Sequence, residues 1–310
     1  MIVKYVIRPI LPKVGNPVRI NEAEYQEITN ARKLAWDILL VKEFFSYVVR
    51  NFSQLESESK RIETKAKNNS NDFREQWENG SFRLENTHIF NLLVMNLLTT
   101  CRSYLDLFDY QGKNKQRELF SGEDDIRKIL ENIKNEHHDQ NTMCNFFWKL
   151  RNYTQHHSSP ITGSPTSINN PVIKIGFTTD VNKILKLSDE RQELKTYLEN
   201  KLSNYSQQEL QKYPKKLNIR LLIKEYIIVM KNIHDEFNQK LDSKFQIVKN
   251  ILDHKVEYYC QDNSPESAFE IYKSNKESQE WEERFDVSLQ LFNDWEKTIE
   301  KYSQINPIND

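Results

Sequence analysis

Glycine and proline are scarce in this chain, 6 and 9 among 310 residues. A fold of many short strands joined by tight turns draws heavily on both, so the shortage points away from a turn-rich β architecture and toward helices. No apolar run approaches the roughly eighteen residues that cross a bilayer, and the apolar N-terminal run is broken by Arg8. Neither a signal peptide nor a membrane span is therefore expected, and the chain reads as cytoplasmic with no membrane partner. Cysteine is also rare. Three residues, Cys101, Cys144 and Cys260, are scattered and odd in number, which reads as reduced thiols rather than a disulfide framework. Nor does charge of one sign dominate: 44 Lys and Arg stand against 45 Asp and Glu. No global field draws the protein to a polyanion, so any such groove must be a local patch. What the chain does have is bulky core material, 16 Phe, 14 Tyr and 5 Trp, within a hydrophobic content of only 37% and a mean hydropathy of -0.77.

Taken in order, residues 2 to 7 are β-branched and aromatic and predict a short strand ending at Pro9. Asn21 is placed to cap a helix with Glu22 and Glu24 in its first turn. Leu34, Ile38, Val41, Phe45 and Val48 continue it at helical spacing. The polar stretch from Asn51 to Gly80 reads as exposed helix plus a loop at Asn68 to Asn71, with Phe73 and Trp77 its main apolar residues. A second long helix is expected from Asn86 or Thr87 to about residue 109, apolar almost all round and hence buried. Asn96 falls on its most apolar face, as a core amide whose expected partners lie on the helix that carries Arg151. Gln111 to Asp125 reads as a polar connection, and Asp125 to Glu136 as a charged helix running into His137 and His138.

Beyond Pro160, Ile161 to Asn170 reads as a loop and Val172 to Phe177 as a strand that pairs with residues 2 to 7. Ser188 caps a helix through about Tyr213. Another begins near Asn218, with Leu221, Leu222, Tyr226, Val229, Met230 and Ile233 as its core stripe. It continues to Tyr259 with a bend expected near Asn250. Ser264 and Pro265 read as a cap and first helical position, followed by two charged helices to about Tyr302.

The stretch from Phe146 to Pro160 concentrates chemistry. Wound at roughly 100° per residue, it puts Phe146, Phe147, Leu150, Tyr153, Thr154 and His157 on one arc and Arg151, Asn152, Gln155 and His156 on the opposite one. Asn152 and His156 are four apart and meet on the surface, with Arg151 beside them. Pro160 stops the helix, which leaves the imidazoles in its last turn. Trp148, Lys149 and Gln155 extend the polar arc, Trp148 either as a contact between subunits or as a platform on which a base stacks. His157, by contrast, is read as structural support. The pairs His137-His138 and His156-His157 have neither the i, i+4 spacing of a helical chelate nor a spaced acid or thiol to complete one. No metal or other cofactor is expected.

Arg151-Asn152-x-x-x-His156, an arginine, a polar residue and a histidine a short way on, resembles the signature of the HEPN superfamily. The upstream helix from Ile89 to Asp106 is similar to the companion helix of HEPN-like proteins that carry an Arg-Asn-Tyr-x-Gln-His segment. The resemblance implies an all-α protein, a HEPN-like helical bundle with extra helices and one or two short β-strands. Residues 1–20 would form a strand and extended segment, and 21–310 a single helical domain with a C-terminal helical extension. It further implies a metal-independent endoribonuclease whose 2′-OH attack leaves a 2′,3′-cyclic phosphate. Arg151, Asn152 and His156 would be its catalytic residues, RNA its partner, and a homodimer the source of a composite active site. Toxin-antitoxin systems or antiviral defence, with an antitoxin or defence partner protein, are the implied setting. The alternative is a HEPN-like module that binds RNA, nucleotide or protein without cleavage. Arg151 can grip two phosphate oxygens, His156 can move a proton near neutral pH, and Asn152 can orient His156 or itself touch phosphate.

Overall fold

The computed structural model describes residues 3–11, 13, 15–108, 119–156, 158–163, 166–169, 172–180, 196, 216–261, 266–275 and 281–303. Helices dominate, and none is long and apolar enough to cross a membrane among the described residues. The described contacts divide the chain into two compact units. One gathers the described residues of Met1–Glu43, Gln116–Arg127 and Phe237–Gln304, the other those of Phe44–Lys115 and Lys128–Glu236.

The first unit holds a four-stranded antiparallel sheet in the order β2-β1-β7-β8. Its strands are β1 (Val3–Leu11), β2 (Val18–Ile20), β7 (Ala268–Asn275) and β8 (Trp281–Ser288). This overturns the expectation of one or two short strands. β1 pairs with β2 and β7, not with residues 172–177, and its Ile7 lies opposite Ile271, which in turn lies opposite Phe285. Residues 268–275 and 281–288, expected as helix after a cap at Ser264, pair as antiparallel strands instead; Ser264 and Pro265 themselves lie outside the described residues. Charged residues at alternate positions disguise the strands, because Glu270 and Arg284 pair with each other across the sheet. Ile7, Phe269, Ile271 and Val287 are fully buried, each contributing about 1.5–3 kcal/mol of hydrophobic stabilisation. Tyr5 packs on Tyr25 of helix α1 (Glu22–Asn68), with ring centroids 4.4 Å apart. Trp36 of α1 packs on Phe292 and Trp295 of the last helix, α7 (Leu289–Ser303).

Asn21 caps α1 as expected, its side-chain Oδ1 accepting the Glu24 N–H at 2.9 Å. The polar stretch beyond Asn51 is not a solvated face. Phe52, Leu55, Ser59, Ile62 and Ala66 recur at helical spacing and are buried, and α1 runs unbroken to Asn68. Helix α2 (Ser70–Glu78) follows directly and buries Phe73 and Trp77. Gly80, at φ 85°, then turns the chain into α3 (Ser81–Leu105), a conformation that a side chain would resist. α3 thus starts five residues before Asn86, with Phe82 packed edge-on against Phe73 and Trp77.

α3 is not buried all round. Phe90, Val94, Leu97, Leu98, Cys101 and Tyr104 face the core, whereas Leu84, Leu92 and Met95 are exposed. Helix α4 (Asp124–Lys134) continues into a π-helical turn at Asn135–Asp139, and α5 (Thr142–His156) comes next. β3 (Thr166–Asn169) pairs antiparallel with β4 (Val172–Ile175), where a loop was expected up to Asn170. β5 (Thr178–Asp180) pairs with β6 (Lys216–Asn218), which leads into α6 (Ile219–Cys260). α6 is continuous, with no break at Asn250. Its buried stripe uses Leu222, Ile223, Tyr226, Ile227, Met230 and Ile233, while Leu221 is exposed. The helix expected from Ser188 to Tyr213 lies outside the described residues.

Candidate functional site

α5 is fixed at its start by Asn141, whose Oδ1 accepts the Met143 N–H at 3.0 Å and whose carbonyl accepts the Asn145 N–H. Met143, Cys144, Phe146, Phe147, Leu150 and Tyr153 then supply the buried face. Phe147 stacks on Tyr226 of α6 at 4.6 Å and 17°. With these rings locked inward, helical geometry sends the remaining residues outward. Arg151 and Asn152 are half-buried, whereas Trp148, Gln155 and His156 are exposed. Lys149 is half-buried and holds its ammonium 5.1 Å from the Trp148 ring centroid. The six residues expected on the polar face therefore share it. His157 lies outside the described residues.

Asn96 departs from expectation. It is exposed on α3 and makes no side-chain hydrogen bond to α5 among the described residues. The interior amides of α3 are its neighbours in sequence. Asn86 is buried and donates to the Phe82 carbonyl, and half-buried Asn91 reaches the chain just beyond α5. Leu92 and Met95, which shift the apparent apolar face of α3 toward Asn96, are themselves solvent-facing.

α3 and α5 run antiparallel. Asn91, in the first half of α3, binds Ile161 past the end of α5, while Cys144 at the start of α5 acts electrostatically on Cys101 near the end of α3. The charges of Arg102 and Asp106, which follow Cys101, act on Arg151. Arg102 donates to an Asp106 carboxylate oxygen at 2.7 Å. Arg151 donates from Nη1 to Asn152 Oδ1 at 3.2 Å, while its Nε is shielded from solvent and has no hydrogen-bond partner among the described residues. Burial lowers the pKa of Arg151 first, the neighbouring charge of Arg102 lowers it further, and Asp106 partly offsets both. A guanidinium shifted this way is still a cation at any ordinary pH. What the shift registers is an excess of positive charge in a partly dry place.

The π-helical turn adds a second polar group. π turns are uncommon and often found at functional positions. His137 pairs with Glu236 at 2.7 Å, and buried His138 bonds through Nδ1 to Asp139 at 2.8 Å. Lys134 lies 3.5 Å from the other Asp139 oxygen. Burial lowers the His138 pKa, Asp139 raises it, and Lys134 and Arg102 lower it again. The histidines are thus divided between two carboxylates. Among the described residues no group of three His, Cys, Asp or Glu side chains is placed to hold a metal ion.

Arg102 and Asp106 were missed in the sequence. The available signal was an Arg and an Asp four apart at the end of an otherwise apolar helix, a pattern that marks a paired cation on the α3 surface. Comparison of the chain with protein families, with characterised proteins and with solved structures finds no match.

Proposed function

We propose that the protein is a metal-independent endoribonuclease of HEPN type, with Arg151, Asn152 and His156 as its working residues. The observation that carries this reading is the outward presentation of Arg151, Asn152 and His156 from one helix whose opposite face is locked in the core. In the reaction, ribose O2′ bonds to phosphorus as the bond from phosphorus to O5′ breaks, leaving a 2′,3′-cyclic phosphate. One group must take the 2′-OH proton and another must give a proton to O5′. His156 has a side chain suited to either role. Arg151 stabilises the crowded phosphate charge, and Asn152, already bonded to Arg151, holds the guanidinium in place.

One such helix offers a single exposed imidazole. A homodimer that apposes two of them supplies both proton transfers in one composite cleft. Exposed Trp148 lies one helical turn before Asn152 and two before His156, which fits a two-fold contact along that strip. A role in toxin-antitoxin systems or antiviral defence, with a partner protein that restrains the activity, belongs to the same reading.

The test is a cleavage assay in excess EDTA on wild type, His156→Ala and Arg151→Ala, with product ends examined for the cyclic phosphate. Removing a general acid or base typically lowers the rate by about 100- to 10,000-fold. Full activity in His156→Ala, or no cleavage by wild type under any activating condition, overturns the catalytic reading. Binding of RNA, nucleotide or protein without cleavage then takes its place.

A further inference from the structure

We infer that Lys4, Arg8 and Arg19, on the face of the four-stranded sheet turned away from its core, form a docking surface for the phosphodiester backbone of RNA. The choice of RNA among polyanions rests on the ribonuclease reading; the surface itself belongs to the other compact unit and uses none of the α5 residues. The first 21 residues of the chain hold four cations, Lys4, Arg8, Lys13 and Arg19, and no carboxylate side chain. In a chain whose net charge is -1, this is a local excess gathered on β1, β2 and the connection between them.

Strand register brings three of the four together. Side chains alternate between the two faces of a strand. Tyr5 and Ile7 point into the core, so Lys4, Val6 and Arg8 point the other way, and β2 sets Arg19 directly opposite Val6. Arg19 is therefore a diagonal neighbour of both Lys4 and Arg8, at about 7–8 Å. Arg8 and Arg19 are exposed and Lys4 is half-buried, and none of the three makes an ion pair or a side-chain hydrogen bond among the described residues. The acid opposite Arg8 is already engaged: Glu270 of β7 accepts from the Tyr272 hydroxyl and the Arg284 guanidinium. Asp286, next in the same row, lies two strands from Arg8, about 10 Å away.

Like charges held this way repel, and an anion relieves the repulsion. Lys4 and Arg8 are four residues apart on an extended strand, a span of about 13 Å, so a ligand that meets all three cations carries anionic groups in series. A nucleic-acid backbone does. A guanidinium grips two phosphate oxygens at once, and each phosphate it neutralises releases counterions from the strand. Tyr272, on the same face, is only 8% exposed and has the Arg284 guanidinium 5.7 Å from its ring centroid, so its ring is no platform for a base. The surface accordingly holds backbone without reading sequence.

The experiment measures fluorescence anisotropy of a labelled 2′-O-methyl oligoribonucleotide, which cannot undergo 2′-OH attack, with the full chain across a series of salt concentrations. The variants are Lys4→Gln, Arg8→Gln and Arg19→Gln, singly and as a neutral triple, and a charge-preserving triple of Lys4→Arg, Arg8→Lys and Arg19→Lys. Arg74→Gln, in an exposed i, i+4 pair of α2, is the control. Each single variant should lower affinity by about 2- to 5-fold and the neutral triple by about 10- to 100-fold. The neutral triple should also reduce the slope of log affinity against log salt by about 2, at about 0.7 per phosphate contact. The charge-preserving triple should keep the wild-type slope, which separates loss of charge from loss of fold, and Arg74→Gln should match wild type. Polyglutamate and adenosine monophosphate should compete weakly. No binding by wild type, or binding by the neutral triple at the wild-type affinity and slope, overturns the surface. Equal losses in the neutral and charge-preserving triples overturn it too. Polyglutamate or adenosine monophosphate binding as tightly as the strand overturns RNA as its ligand. If wild type cleaves RNA while the neutral triple binds normally, the surface fails and the ribonuclease reading survives. If the neutral triple loses binding but wild type cleaves nothing, the surface stands and the ribonuclease reading fails.

Discussion

Asn91 of α3 holds both backbone polar groups of Ile161: its Oδ1 accepts the Ile161 N–H at 2.7 Å and its Nδ2 donates to the Ile161 carbonyl at 3.3 Å. Ile161 is buried, so a side-chain amide here does what a neighbouring strand does elsewhere. The two bonds also fix the chain five residues after His156.

Asn91→Ala should therefore destabilise the protein by about 1–3 kcal/mol, the cost of leaving buried backbone groups unpaired. Asn91→Asp keeps the acceptor for the Ile161 N–H and loses only the longer bond. It should retain more stability than Asn91→Ala, as measured by urea unfolding. Equal stability of wild type and Asn91→Ala would show that the chain after α5 is held by something else.

Arg151→Ala should leave stability within about 0.5 kcal/mol of wild type, or raise it. The side chain gains one hydrogen bond to Asn152, while its shielded Nε is unsatisfied and Arg102 repels it. Calorimetry decides the sign. A loss of several degrees in Tm, with no ligand present, would mean that Arg151 is a structural anchor.

The three thiols should react at different rates in the folded protein. Cys101 and Cys144 are buried, and burial pushes the Cys101 pKa far up and that of Cys144 up to about 12, so neither supplies thiolate at neutral pH. Cys260 is half-buried, its Sγ donating to the Ala268 carbonyl at 3.4 Å. A thiol-specific dye should label one site quickly under native conditions and all three in denaturant. Mass spectrometry of the labelled peptides should place the fast site at Cys260.

His138 should make the protein acid-sensitive in a defined direction. Burial holds its folded pKa below the ordinary value of 6.5, so an unfolded chain takes up this proton first as pH falls. Its contribution is complete above about 6.5 and declines as pH drops from there toward the folded value. Asp37 and Asp253, whose pKa values burial raises, act in the opposite sense at lower pH. The check is the difference in Tm between wild type and His138→Gln in matched buffers, which should move against wild type between neutrality and pH 5. A constant difference would mean that His138 does not titrate differently on folding.

The arc assignment on α5 was legible because it depends only on local geometry. Once Phe146, Phe147, Leu150 and Tyr153 demand burial, a 3.6-residue repeat leaves Arg151, Asn152 and His156 on the other side, whatever packs against the rings. The cap at Asn21 was legible for the same reason, being a bond between residues three apart. The sheet was not. Val3–Leu11 finds its partner at Ala268–Asn275, and no periodicity within either strand encodes a pairing across that much intervening chain. The misplacement of Asn96 has a related cause: an apolar residue such as Leu92 or Met95 looks buried in a sequence whether or not another element covers it. By itself, then, the sequence determined which residues α5 turns away from its own core, since that follows from side-chain chemistry and one helix's repeat. Only the tertiary structure decided that the chain past α5 is held by Asn91, because helix packing brings together groups that lie 70 positions apart in the chain.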